Sequence, residues 1–430
     1  MRGCATAAYR TGASLMTTPS TAAPRLPWDA ADPYPFYAWR RRDGDVVWDD
    51  TAQAWLVLSY DAAQIVLGGS GWTSDPRANP TARAAMDAFG PELANRNMLS
   101  TDGHNHLRLR GSVRDVFTPS FITGLTAGVE AIGAGAVDHP PAGVSFDFMT
   151  DVALPLPIAV VGEWLGLDAE SSRLLREESP AISQLLGAFA DAEAIACGAA
   201  AFASLLTEFL PLAADRRTHP GDDLLSFIAS DPDLLLDDVV ITAILIAVAG
   251  HETTANLLGA AMIRLLTVRP DGTRIVDGVD PSDPALITEL LRLDGPVQAT
   301  ARTATQDQLV GDVEITYGQT VLVVVAAANR DPAVFAEPDQ LRLGRRGPAP
   351  LAFGYGAHYC LGAALARLET TVALRRVLAR NPALAGPPTW RDTPAIRGPL
   401  NVPMIFHRSS PNVALSAERL EVERESPPVK

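Results

Sequence analysis

The fold is decided by Leu351–Glu369, "LAFGYGAHYCLGAALARLE", which sets one of only three cysteines between a glycine-rich turn and a run of strong helix formers. Gly354, Gly356 and Gly362 permit tight turns or the close approach of a flat ligand to the backbone, although they do not identify that ligand. Past Cys360 the leucines recur at spacings that bury one helix face, which puts the cysteine just before or at a helix N-terminus. There the free amides and the helix dipole favour a thiolate. A lone thiolate with no second cysteine nearby suits a single open-faced iron better than tetrahedral zinc or an iron–sulfur cluster. The plain alternative is a buried cysteine that caps a helix.

The remaining composition narrows the class. The chain has 430 residues, 47% hydrophobic and 20% charged, as in a globular enzyme rather than a disordered chain. Its formal charge of -15 gives no long-range attraction for nucleic acid or anionic lipid. Cys4, Cys197 and Cys360 form neither a C-x-x-C site nor a disulfide framework, which fits a reducing cytoplasm. No apolar run free of polar interruption is long enough to suggest a membrane span. Lys430 is the lone lysine, so single arginines carry meaning only inside a motif. Residues 1–27 read as a flexible leader, with Met16 a second candidate start, and 407–430 as a polar tail. A single domain is expected over 28–406.

Within that domain Val46–Tyr60 suggests an early hairpin, and Val321–Val325, preceded by a Gly-Asp and a Tyr-Gly turn, a late strand region. The stretch between is mainly helical. Asp237–Val268 reads as one largely buried helix that opens with two acids at its positive end and spans roughly 48 Å. Ala249-Gly250-His251-Glu252-Thr253-Thr254 interrupts it with polar groups. A buried carboxylate and a mid-helix glycine are both costly, and both are tolerated where a ligand needs space and protons. The bland reading has Thr253 bonded to a carbonyl one turn back, Glu252 paired with a buried arginine and His251 a satisfied helix histidine.

Two further pairs sit at helical spacing. His106 and Arg110 share one face in "DGHNHLRLRGSVR", where a basic pair either binds an anion or is simply solvated. His104, Arg108 and Arg114 are expected at the surface. Glu289 and Arg292 share a face in "ITELLRLDGP".

"FGYGAHYCLGAALAR" resembles the haem-binding signature of the cytochrome P450 family, with Phe353, Gly356, His358, Cys360, Gly362, Leu365, Ala366 and Arg367 on its characteristic positions. "AGHETT" is similar to the family's A-G-x-[DE]-T-T element, His106 and Arg110 to its H-x-x-x-R, and Glu289 and Arg292 to its E-x-x-R. The resemblance implies the P450 fold, mainly α with a small β-rich lobe, around heme b. It makes Cys360 the proximal thiolate, places Phe353 near the sulfur, and sends His106, Arg110, Arg302 and His358 to the haem propionates. Ala249 and Gly250 leave room for dioxygen, while Thr253 and Glu252 relay protons. Arg345 completes a buried network with Glu289 and Arg292 that supports the cysteine loop. Leu341, Arg342 and Pro350 depart from the residues usual in this family, and none removes a catalytic group.

The implied activity is a cytoplasmic monooxygenase that inserts one atom of O2 into an organic substrate, in bacterial secondary metabolism. That substrate is either free or bound to a carrier protein. Electrons are expected in trans from a ferredoxin and its reductase, docking near Arg367. Pocket candidates are Trp72–Asn97, Ala181–Ala190, Ile244–Val248, Val297–Thr300 and Ile396–Leu400. The rival readings are a haem-thiolate enzyme for peroxide-dependent oxidation, coupling or rearrangement, and a noncatalytic haem sensor or electron carrier.

Overall fold

A computed structural model describes residues 25–87, 95–185 and 192–407. Cys4, most of the expected leader and most of the expected tail lie outside these residues, as do 88–94 and 186–190 of two pocket candidates. The longer helices are α1 (Gly103–Arg114), α2 (Thr126–Asp138), α3 (Pro155–Trp164), α4 (Ala169–Leu185), α5 (Ala192–Thr218), α6 (Leu236–Leu266), α7 (Pro284–Asp294) and α8 (Ala363–Ala379). The strands are β1 (Val46–Asp49), β2 (Ala54–Val57), β3 (Trp72–Thr73), β4 (Ser145–Asp147), β5 (Thr300–Ala304), β6 (Gln308–Val310), β7 (Val313–Ile315), β8 (Thr320–Val323), β9 (Pro382–Leu384), β10 (Thr389–Trp390), β11 (Pro399–Asn401) and β12 (Pro403–Phe406). The architecture is mainly α with a small β-rich lobe.

The early hairpin forms as β1 against β2, Val46 facing Val57. Asp49 closes its turn by accepting the Thr51 and Ala52 N–H groups at 3.0 and 2.9 Å, the local bonding that suits aspartate to turns. β2 then runs parallel to the late strand β8, giving the sheet order β1-β2-β8-β5-β3 from segments on either side of the helical stretch. Arg302 is thereby carried on β5, a strand flanked on both sides.

α6 is the spine of the main core cluster. Asp238 in its first turn accepts the Leu235 N–H at 3.1 Å and is gripped by Arg96 at 2.8 Å and Arg108 at 2.9 Å. Arg108 was expected at the surface; its partner is a buried acid on another helix, which no local pattern reveals. At the far end Arg264 donates to Asp294 at 2.8 Å, a cation where the dipole is negative. α5 and α6 are both long and apolar enough to cross a membrane; α6 is largely buried among other helices, and α5 packs against α4 and α6.

The Glu289–Arg292–Arg345 network is buried and complete. Arg292, 1% exposed, donates Nε to Glu289 Oε1 at 2.7 Å and Nη2 to Glu289 Oε2 at 2.9 Å. It also donates to the carbonyls of Asn329, Pro338 and Gln340, at 3.1, 2.6 and 2.9 Å. Arg345 Nε reaches Glu289 Oε2 at 2.9 Å. Removing one member of a buried ion pair costs about 3–5 kcal/mol. Arg292→Ala should lower unfolding free energy by about that amount in a denaturant titration, and an unchanged midpoint would contradict the network's place in the fold.

Candidate active site

The cysteine loop is built from its turns. The Cys360 N–H donates to the Phe353 carbonyl at 2.8 Å and Gly354 N–H to Leu351 O at 2.8 Å. Gly356 has φ +75 and a Cβ there would lie 2.6 Å from the Leu67 carbonyl, so glycine alone fits both the backbone and the contact. Gly362, the N-cap of α8, is different: its φ is -80 and a Cβ would meet nothing within 4 Å. Its use is room rather than conformation. The Arg367 guanidinium stacks over the Phe353 ring at 4.6 Å, so this expected docking group is half-buried and engaged.

Burial pushes the Cys360 thiol up, outweighing the Gly362 N–H and the charges of Arg110 and Arg367 that pull it down. The helix end alone therefore does not make a thiolate. A bound metal reverses this balance, because a coordinating thiol is deprotonated outright.

α6 presents its mid-section to open space. Between Asp238 and Met262 the accessible positions are Ile246, Ala249, Gly250 and Thr253, a single helical stripe in an otherwise buried helix. A Cβ built at Gly250 would meet nothing within 4 Å. Thr253 Oγ1 donates to the Ala249 carbonyl at 2.7 Å, and Glu252 Oε1 lies 3.3 Å from Arg391 Nη1. Both bland partners expected from sequence are thus present, while Thr253 still borders the open stripe. His251 is a satisfied histidine: Nε2 donates to Leu154 O at 3.1 Å, which leaves Nδ1 to accept from the Ser179 hydroxyl at 3.3 Å. Of Ile244–Val248 only Ile246 is accessible, whereas Val297, Thr300, Ile396 and Leu400 are half-buried, with Val297 and Ile396 bridged.

The four expected anion-binding side chains converge from α1, β5 and the cysteine loop. His106 and His358 stack with ring centroids 4.3 Å apart. Arg110 Nη2 donates to the Tyr359 carbonyl at 2.6 Å, and Arg302 Nη1 to the Ala301 carbonyl at 2.7 Å. Burial, helped by His358 and Arg110, pushes His106 down to about 4, so it is a neutral hydrogen-bonding group rather than a fourth charge. Sequence reasoning missed Asp102, which accepts from His358 Nε2 at 2.8 Å, Thr73 Oγ1 at 2.6 Å and Ser74 N–H at 2.7 Å. Against a burial effect that raises it, these bonds hold its carboxyl well below the usual range. Its only sequence signal is a capping-type residue before α1.

Two arginines with an excess of positive charge, an open helical stripe, a cysteine loop and two glycines facing space suit a flat, dianionic, iron-bearing ligand. The family model for cytochrome P450 matches residues 284–381. The chain is 36% identical over 403 residues to cytochrome P450 monooxygenase PikC of Streptomyces venezuelae, covering 88% of this chain and 92% of that one. It is 36% identical over 365 residues to nocardicin C N-oxygenase of Nocardia uniformis subsp. tsuyamanensis, covering 82% and 89%. The fold matches the solved P450BioI, crystallised with a hexadec-9Z-enoic acid-ligated acyl carrier protein, with TM-score 0.80 and 27% identity, over 87% of this chain and 99% of that one. The chain belongs to the cytochrome P450 family. As a P450 monooxygenase it takes haem as cofactor, and the donor set and open stripe fit that group. The family implies an organic substrate, O2 and a source of electrons.

Two measurements check this P450 site. Cys360→Ala should abolish the thiolate-type Soret band of the reduced, carbon-monoxide-bound protein; an unchanged band would put the sulfur elsewhere. Burial lowers His251 from 6.5 to about 4, with the charges of Arg391 and Arg176 acting in the same direction and the Leu154 bond against it. Because the unfolded chain takes up this proton first, stability is intact above 6.5 and is lost as pH falls toward 4, by about 3 kcal/mol. His251→Gln should remove that part of the acid limb in urea unfolding, and an identical limb would contradict the assignment.

Proposed function

We propose that this P450 inserts one atom of dioxygen into an apolar or mixed-polarity organic substrate, by hydroxylation or epoxidation, in bacterial secondary-metabolite biosynthesis. The observation that carries the reading is the single accessible stripe of α6, with Thr253 on it and Glu252 beside it, in a chain whose cysteine loop gathers Arg110, Arg302, His106 and His358. Haem held by a thiolate supplies oxygen activation when bound.

In this reading Cys360 ligates the iron and Phe353 shields the sulfur. Arg110, Arg302 and His358 bind the propionates, with His106 as a neutral donor. Gly356 shapes the loop, and Gly362, Ala249 and Gly250 would leave space for the flat ring and for dioxygen. Thr253 donates its hydroxyl proton to Ala249, so the lone pairs of its oxygen remain to hold a water on the open side. Glu252 brings protons to that side as a general acid. Retention of both residues favours oxygen over peroxide as the oxidant.

The substrate is a free small molecule in the leading reading, bound between the α6 stripe and the segments bearing Val297 and Ile396. P450BioI was solved with a carrier-protein-bound acyl chain, which supports a carrier-bound substrate as the second reading. Electrons come from a separate ferredoxin and ferredoxin reductase in the cytoplasm, to a single domain over 28–406.

Turnover of a metabolite panel under labelled dioxygen should yield a product with one labelled oxygen atom; a labelled-peroxide product without electron supply would favour the peroxide route. Thr253→Ala should keep the haem spectrum while product per electron falls by about tenfold and peroxide rises, since the water that the Thr253 oxygen holds loses its acceptor. Equal product per electron would remove Thr253 from the mechanism.

A further inference from the structure

The segments bearing Val297 and Ile396 are held from a distant part of the chain. Gln298 N–H donates to the Ala395 carbonyl at 2.9 Å and Arg397 N–H to the Pro296 carbonyl at 2.7 Å, so the two segments form one antiparallel pair. Residues 28–37 grip both members of it. Trp28 Nε1 donates to the Pro394 carbonyl at 2.8 Å, and the Tyr37 hydroxyl to Gln298 Oε1 at 3.2 Å. Arg397, 8% exposed, adds the strongest hold: its Nε and Nη2 both donate to the Ala31 carbonyl, at 3.0 and 2.9 Å. Its guanidinium lies over two rings, 3.8 Å from the centroid of Trp390 and 5.3 Å from that of Tyr34. A buried cation met by a carbonyl and aromatic faces is tolerated only while those contacts last, which fixes the segment that carries it.

The same segment is pressed on α6. A Cβ at Gly398 would lie 2.1 Å from Asn256 Oδ1, and one at Gly259 would lie 2.5 Å from Pro399 Cγ. Ile396 stands between these two anchorages. Its side chain packs in part against the cluster of Trp28 and Tyr37 and is otherwise accessible.

We infer that Arg397 is a positioning residue for substrate selectivity: by tying its segment to Ala31, Tyr34 and Trp390, it sets how far the Ile396 side chain stands from the accessible stripe of α6. The inference rests on the reading that substrate binds between that stripe and the segments bearing Val297 and Ile396. In it Ile396 touches the ligand, and Arg397 acts through Ile396. A pocket wall tells ligands apart by a methyl-sized difference only when the wall does not give way. Without the guanidinium the segment keeps its contacts with α6 and loses its outer hold, so the wall yields.

The test uses the haem-loaded full chain and two probes that bind iron through nitrogen, imidazole and 4-phenylimidazole, titrated by the shift of the Soret band. Imidazole is too small to reach a pocket wall, whereas the phenyl ring of the second probe extends toward it. Arg397→Leu should weaken 4-phenylimidazole about tenfold and imidazole by less than about twofold, as loss of a methyl-sized contact does. Ile396→Ala should weaken 4-phenylimidazole by a similar factor, and the double variant Arg397→Leu/Ile396→Ala no further. Equal factors for the two probes in Arg397→Leu, or additive losses in the double variant, would overturn the positioning role and leave the pocket reading intact. Unchanged 4-phenylimidazole binding in Ile396→Ala would remove Ile396 from the pocket, and the positioning role with it. If Arg397→Leu does not load haem, Arg397→Met keeps a long apolar stem against the rings and carries the same comparison.

Discussion

A guanidinium taken almost wholly out of water is tolerated only if its donors are used, and the demand of Arg292 organises the region around it. It is met by both oxygens of Glu289 and by three carbonyls. One of those carbonyls belongs to Asn329, whose side chain in turn accepts the Leu351 N–H at 2.6 Å. Leu351 opens the turn whose last residue, Phe353, accepts the Cys360 N–H. A chain of directed bonds thus runs from α7 to the cysteine. Apolar side chains of similar volume often stabilise a protein as well as a buried ion pair. They do not fix a loop in rotation, which is what a ligand to a metal requires.

The loop that results is in electrostatic tension. Its sulfur sits near Arg110, Arg367 and the Gly362 N–H, yet burial still raises the thiol. The anion-binding cluster shows the opposite case, where Asp102 stays ionised despite partial desolvation because three donors converge on it. Asp102 also ties the sheet edge at Thr73 to the loop at His358, so the region that would hold two propionates is closed by an acid of the protein itself. Such a site fits an anionic ligand only because Arg110 and Arg302 exceed the single carboxylate.

Local pattern carried most of the architecture. The early hairpin and the late strand were legible because turn residues and β-branched runs act at short range, and α6 because apolar residues dominate it from Val239 onward. The Glu289–Arg292 pair and the His106–Arg110 face were legible as spacing, and acquired meaning from the family resemblance. What stayed hidden depends on chain segments meeting from far apart. Arg108 finds Asp238, Asp102 finds His358 and Glu252 finds Arg391 through topology, which no window of sequence contains. The neutrality of His106 stayed hidden for the same reason, since it comes from burial beside other cations.

The bland and functional readings of "AGHETT" turn out not to compete. A threonine hydroxyl bonded to the carbonyl one turn back satisfies its donor and leaves its oxygen available, so the fold's solution is also a poised acceptor. A glutamate paired with an arginine is stable in a buried place, and Glu252 adjoins Thr253 of the open stripe in sequence while its carboxylate faces the hairpin. His251, one residue earlier, turns to Ser179 on α4 and Leu154 at the start of α3, fixing the rotation of α6 about its axis. With that rotation set, Gly250 and Thr253 face open space while Glu252 and Asn256 face the hairpin. The consecutive residues Gly250 to Thr253 thereby serve three directions, and the helix can be both the core of the fold and the wall of its site.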